Sequence, residues 1–151
     1  MDFMSNILFG AKCYRILNIM DEFNKEFIEF EVDISLPAIK VIQALQRTIE
    51  FRWKPKSIRV DNGPEFISHK LEQWCYIQSG SPTQNSRMER LNASIRREFF
   101  DAYLFDTLSE VKIMTEKWVY DYNNHQPHLT LGKLSPIEYL DKYHFEMNCA
   151  V

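Results

Sequence analysis

Ile58-Arg59-Val60-Asp61-Asn62-Gly63-Pro64-Glu65-Phe66 is the stretch on which the reading of this chain turns. A short β-branched run that ends in an acid and then an Asn-Gly-Pro turn predicts a carboxylate at the C-terminal tip of a strand. In open α/β sheets that edge is where ligands bind. A second acid, Glu89, heads a basic helical segment, and two such carboxylates at one edge can share a divalent cation for attack on a phosphodiester. The plainer reading of Asp-Asn-Gly-Pro is a turn, since all four residue types favour turns. For Glu89 it is an exposed helical glutamate, and for Asp2 a solvated terminus.

Working outward from Asp61, the spacing predicts an ordered series of elements. Lys12 to Met20 is rich in strand formers, and Phe27 to Val32 alternates Phe27, Glu29 and Glu31 with Ile28, Phe30 and Val32. With Asp21-Glu22-Phe23-Asn24 as the turn, these two make a hairpin. Ser35 precedes Leu36-Pro37, and Ile39, Ile42, Leu45 and Ile49 recur at helical spacing until Pro55 stops the pattern. Ser57 to Val60 then returns as a strand, an order that argues for parallel pairing. Phe66 to Cys75 reads as a helix with Phe66, Leu71 and Trp74 on its apolar side, Tyr76 to Gln78 as a strand, and Ser79 to Gln84 as a loop. Asn85 to Phe100 is the next helix, capped by Asn85, with Ile95 facing the core and Asn92 and Arg96 on the flank of Glu89. Thr107-Leu108-Ser109-Glu110 and Ser135-Pro136-Ile137-Glu138 are capping boxes, the first followed by a stripe of Val111, Met114, Trp118 and Tyr122.

Composition narrows the class. The chain has 151 residues with 45% hydrophobic and 14% aromatic content, which is globular and sufficient for one core. No apolar run reaches membrane-spanning length and no signal peptide is recognisable, so a soluble, cytoplasmic protein without a membrane partner is expected. Cys13, Cys75 and Cys149 are widely spaced and read as reduced thiols, not a zinc site. The net charge of −3 runs against nucleic-acid binding, but Arg87, Arg90, Arg96 and Arg97 fall in one segment, and divalent cations would offset clustered acids.

Six ordered pieces carry a resemblance. They are Met1-Asp2-Phe3-Met4-Ser5, Leu17 to Phe23, Asp61-Asn62-Gly63-Pro64-Glu65-Phe66, Gly80 to Asn85, Glu89-Arg90-Leu91-Asn92 and Tyr122-Asn123-Asn124-His125-Gln126-Pro127-His128. Together they resemble the catalytic core of integrase-core, DDE-type transposases of bacterial insertion sequences, which are related to retroviral integrases. The resemblance implies a ribonuclease-H-like mixed α/β sheet flanked by helices, its first strand truncated ahead of Asp2. It implies an incomplete catalytic core over 1–105, with 106–151 as a helical extension of the same domain. It further implies that Asp2, Asp61 and Glu89 form a catalytic triad holding two Mg2+ (or Mn2+) ions. DNA contacts fall to Asn85, Arg87, Asn92, Arg96 and Arg97, where Arg96 resembles the basic residue that holds DNA near the scissile phosphate. Its plainer role is a partner for Glu89 or a solvated charge. The implied partners are insertion-sequence ends and target DNA, with a homo-oligomer bringing two ends together and no small-molecule substrate.

The sequence also departs from that family. Only 27 residues, 62 to 88, separate Asp61 from Glu89, shorter than usual by about two helical turns. The loss falls between Trp74-Cys75 and Tyr76-Ile77, where a helix runs into a strand with no turn residues. Gln126 stands where the family usually has Arg, and DNA-binding helices expected ahead of the core are missing from this sequence. The alternative reading is therefore a catalytically inactive transposase remnant acting only as a DNA-binding or dimerising module.

Overall fold

The structure is a computed structural model that describes residues 1–52, 54–60, 66, 71, 74 and 92–149. Its centre is a three-stranded antiparallel sheet in the order β1 (Asp2–Ile7), β2 (Cys13–Met20), β3 (Phe27–Asp33). β2 is the middle strand and is covered on both faces, which is why Tyr14, Ile16, Leu17, Asn18 and Ile19 are all buried rather than alternately so. Asp2 opens β1 and pairs with Asn18; the strand then continues for five residues to Ile7 opposite Cys13.

Two helical layers sandwich the sheet. Helix α1 (Ala38–Phe51) lays Val41, Ile42, Ala44 and Leu45 over one face, against Leu17, Ile19 and Leu36. Phe66 and Leu71 join this layer, and Phe66 stacks on Phe3 with centroids 4.8 Å apart. The opposite face carries Met4, Tyr14 and Ile16, which meet Ile95, Phe99 and Phe100 of helix α2 (92–100) and Val111 and Tyr122 of helix α3 (Leu108–His125). The last turn of α2, Arg96–Phe100, is π-helical, and it presents Phe99 and Phe100 together to this core. Helix α4 (Pro136–Cys149) closes the described chain, its Tyr139 and Tyr143 lying against Phe23 of the β2–β3 turn.

Local chemistry set most of these limits. The Ser135 capping box is complete: Ser135 Oγ accepts from the Glu138 amide at 3.3 Å, and the Glu138 carboxylate accepts from the Ser135 amide at 2.8 Å. The Thr107 box is half made, because Thr107 accepts from the Glu110 amide while the Glu110 carboxylate turns to the amide of Asp106. Both helices begin where the motifs predict.

Four expectations are corrected. Helix α1 starts at Ala38 and ends at Phe51, short of Pro55, because Arg52 leaves helical geometry to pair with the buried Glu26. Its apolar stripe is Val41, Ile42, Ala44, Leu45 and Thr48, with Ile39 half exposed. Ser57 to Val60 forms no strand; the Met1 ammonium donates to the Arg59 carbonyl at 2.7 Å and so ties this segment to the line of β1. The described sheet is accordingly antiparallel throughout. Phe27, finally, does not share a face with Glu29 and Glu31. An irregularity in the β2–β3 register at Ile19/Met20 sets Phe27 opposite Met20 and Glu29 opposite Ile19, so Phe27 turns into the core with Phe30 and Val32. The expected strand Tyr76–Gln78 and loop Ser79–Gln84 lie outside the described residues.

Candidate catalytic and nucleic-acid site

The site is built around Asp2. As the first residue of β1 it lies at the end of the sheet, half buried, with its side chain on the α2 face. One carboxylate oxygen, Oδ1, accepts from the Phe3 amide at 2.7 Å. The other, Oδ2, accepts from the Asn92 carboxamide at 2.7 Å across 90 positions of sequence. Asn92 in turn accepts at Oδ1 from the Asn18 side chain at 2.8 Å, and Asn18 is fully buried directly across the ladder from Asp2. Asp2, Asn92 and Asn18 thus form one chain of hydrogen bonds joining β1, α2 and β2.

Helix α2 runs along β1, anchored twice. Asn92 touches Asp2, and one turn later Arg96 donates from Nη2 to the Ser5 carbonyl at 3.1 Å, about 10 Å along the strand at 3.3 Å per residue. The Arg96 guanidinium is exposed. Arg97 is also exposed and pairs with Glu98 at 3.2 Å, while the second Glu98 oxygen accepts from Gln126 at 3.2 Å. That exposed pair contributes little to stability.

The Tyr122 to His128 motif has a structural task next to this site. Asn123 holds the main chain of Phe27, accepting from its amide and donating to its carbonyl, both at 2.8 Å. Tyr122 is buried, edge-on to His128 at 4.9 Å. Burial holds the His128 imidazole below the ordinary histidine range, partly offset by the field of Glu98. It is therefore neutral at pH 7.

Of the predicted site residues, the structure brings together Asp2, Asn92 and Arg96 on one seam and places Arg97 beside them on the exposed side of α2. Asp61, Glu89, Asn85 and Arg87 lie outside the described residues. Among the described residues, which include Asp2 but neither Asp61 nor Glu89, no three His, Cys, Asp or Glu side chains converge as metal ligands. The oxygens at this end are hard donors: the Asp2 carboxylate, whose two oxygens accept from Phe3 and Asn92, and the buried Asn18 Oδ1, which has no hydrogen-bond partner among the described residues. Oxygens of this kind fit Mg2+ or Mn2+ chemistry. Sequence reasoning missed Asn18; the available signal was a lone carboxamide inside the apolar run Ile16-Leu17-Asn18-Ile19-Met20.

Comparison with known proteins gives the family and the fold. The chain matches the integrase core domain over residues 1–78, and a second model of the same description over 71–136. It is 36% identical over 150 residues to an uncharacterized 31.7 kDa protein of insertion element IS407 from Burkholderia multivorans, covering 94% of this chain and 54% of that protein. It is 30% identical over 151 residues to an uncharacterized 39.2 kDa protein of insertion element IS476 from Xanthomonas euvesicatoria, covering 95% of this chain and 44% of that one. The chain therefore spans about half the length of these curated relatives. The HTLV-2 integrase catalytic core domain, solved in complex with magnesium in a trimeric form, superposes with a TM-score of 0.65 at 18% identity, covering 91% of this chain and 94% of that one. A chain of the simian T-cell lymphotropic virus intasome, solved in complex with PP2A regulatory subunit B56 gamma, gives 0.63 at 18% identity over 91% of this chain and 53% of that one. Among the described residues no helix is long and apolar enough to cross a membrane. With a ribonuclease-H-like α/β fold and insertion-element proteins as relatives, the chain belongs to the integrase core domain family.

Proposed function

We propose that the chain is the catalytic core of a DDE-type insertion-sequence transposase, which cleaves DNA strands and joins them to a target by phosphoryl transfer. Asp2, Asp61 and Glu89 would hold two Mg2+ or Mn2+ ions, which supply an activated water or 3′-hydroxyl and stabilise the leaving oxygen. The observation that carries this reading is the 2.7 Å hydrogen bond from Asn92 to Asp2. Asn92 follows Glu89 by three positions, the spacing that shares a helical flank. The contact thus supports Glu89 and Asp2 serving one site.

The protein's own groups have separate tasks in this reading. Asn92 holds the Asp2 carboxylate in place through its hydrogen bond to Oδ2. Arg96, tied to the Ser5 carbonyl, presents its remaining donors to a phosphate. Arg97, Asn85 and Arg87 extend that contact along the strand, with Arg97 exchanging Glu98 for DNA. The core runs over 1–105, and 106–151 belongs to the same domain, supported by Val111 and Tyr122 lying in one cluster with Met4 and Ile16. The partners are insertion-sequence ends and target DNA, the working form is a homo-oligomer, and the compartment is the cytoplasm.

The test is Mn2+-dependent nicking and joining of duplexes carrying the termini of the parent element. Asp61→Asn and Asp2→Asn should each abolish both steps, and full activity in either variant would overturn the reading. The short 62–88 interval favours a second reading, an inactive remnant that binds DNA or dimerises without chemistry. Calorimetry separates the two: stoichiometric Mn2+ uptake, lost in Asp61→Asn, supports the enzyme, and no uptake supports the remnant.

A further inference from the structure

Every second residue of β2, Tyr14, Ile16, Asn18 and Met20, faces α2, and Asn18 interrupts that row with a carboxamide that is 0% exposed. Its Oδ1 has no hydrogen-bond partner among the described residues. A buried acceptor without a donor is destabilising, so an apolar side chain would serve the core better at this position. What the carboxamide does there is donate from Nδ2 to Asn92 Oδ1 at 2.8 Å.

That contact decides which way round Asn92 stands. A carboxamide carries an acceptor at one end and a donor at the other, nearly equal in shape, so packing alone accepts either orientation. With Asn18 Nδ2 on its Oδ1, Asn92 keeps Nδ2 for Asp2 and donates to Oδ2 at 2.7 Å. Turned over, Asn92 would set an oxygen against the carboxylate and a nitrogen against the Asn18 nitrogen. Both contacts would be repulsive. We propose that Asn18 is a positioning residue of the candidate site: it holds Asn92 as a donor toward Asp2, and through Asn92 it holds the carboxylate. A metal on Asp2 rests on the proposed function; the orienting of Asn92 does not.

Two substitutions in the full chain test this role. Asn18→Leu keeps the branching of the side chain and removes both polar atoms, and Asn18→Val does the same with less volume and high strand propensity. Both variants should melt within about 3 °C of the parent or above it, because the unpaired acceptor is gone. In the metal-free chain, nuclear relaxation of the Asn92 side-chain amide should give an order parameter of about 0.8 in the parent and below about 0.6 in both variants. Mn2+ affinity measured by calorimetry should fall about tenfold in both. Neither substitution should weaken it further in an Asn92→Leu background. An Asn92 amide equally ordered in parent and variants would overturn the proposal, and so would unchanged Mn2+ affinity. A loss of affinity that persists in the Asn92→Leu background would make Asn18 a ligand through Oδ1, which overturns the positioning role as well. A parent chain that takes up no Mn2+ would instead overturn the proposed function, and the metal-free measurement still decides whether Asn18 orients Asn92.

Discussion

The carboxamide of Asn123 closes the free edge of β3 at Phe27, accepting from the Phe27 amide and donating to its carbonyl, both at 2.8 Å. β3 borders the sheet, and the register irregularity at Ile19/Met20 rotates Phe27 into the core. An edge residue so placed needs a partner for two main-chain groups, and a single side chain with one donor and one acceptor supplies both. Removing that side chain leaves a buried amide and carbonyl unpaired. Asn123→Ala should therefore cost about 2–4 kcal/mol in urea denaturation. The Phe27 amide should also lose its hydrogen-exchange protection; a cost below about 0.5 kcal/mol would show that water replaces the clamp.

Glu26 is buried against Arg52, which donates from Nη1 at 3.0 Å and also makes a second, ion-paired contact. The Glu26 side chain is 4% exposed and that of Arg52 34%, so losing the arginine strands a desolvated carboxylate. Arg52→Ala should destabilise the fold by about 3 kcal/mol. Adding Glu26→Gln should recover most of the loss, and a double-mutant cycle with no coupling would refute this account.

His128 gives the fold an acid-sensitive element. Its folded pKa lies below the unfolded value of 6.5 because the ring is buried, so the unfolded chain binds the extra proton first. The corresponding stability is complete above pH 6.5 and is lost as pH falls through the lowered folded pKa. Denaturation midpoints measured from pH 7.5 down to 5 should decline in this window, and His128→Gln should flatten the decline. An identical slope in the variant would place the titration elsewhere.

Asn92→Leu tests the seam at the candidate site. It removes the donor to Asp2 and the acceptor for the buried Asn18 amide, and should cost about 1–2 kcal/mol. Under the proposed function it should also weaken Mn2+ binding about tenfold, the usual penalty for losing a group that orients a ligand. Unaltered Mn2+ affinity together with reduced stability would confine Asn92 to a structural role.

Local pattern made the outline of this fold legible. The hairpin of β2 and β3, the α1 stripe through Ile42 and Leu45, and the capping boxes at Thr107 and Ser135 follow from residue spacing, because each depends on neighbours within a few positions. The proposed roles of Asp2 and Arg96 rest on something different, the ordered motifs shared with the family. Ser57 to Val60 misled because β-branched residues favour an extended backbone but cannot supply the adjacent chain that makes a strand.

The sequence by itself determined which segments are amphipathic, where α3 and α4 begin, and the ancestry of the chain. Only the tertiary structure decided that Phe27 turns inward, that Asn123 covers the edge of β3, and that Asn18, Asn92 and Asp2 share one hydrogen-bond chain. Periodicity reports which side of an element is apolar, over a range of a turn or two. It carries no information on which polar side chain, 74 to 96 residues away, will meet a buried group left unpaired. Those meetings were decided by packing two helical layers on one sheet.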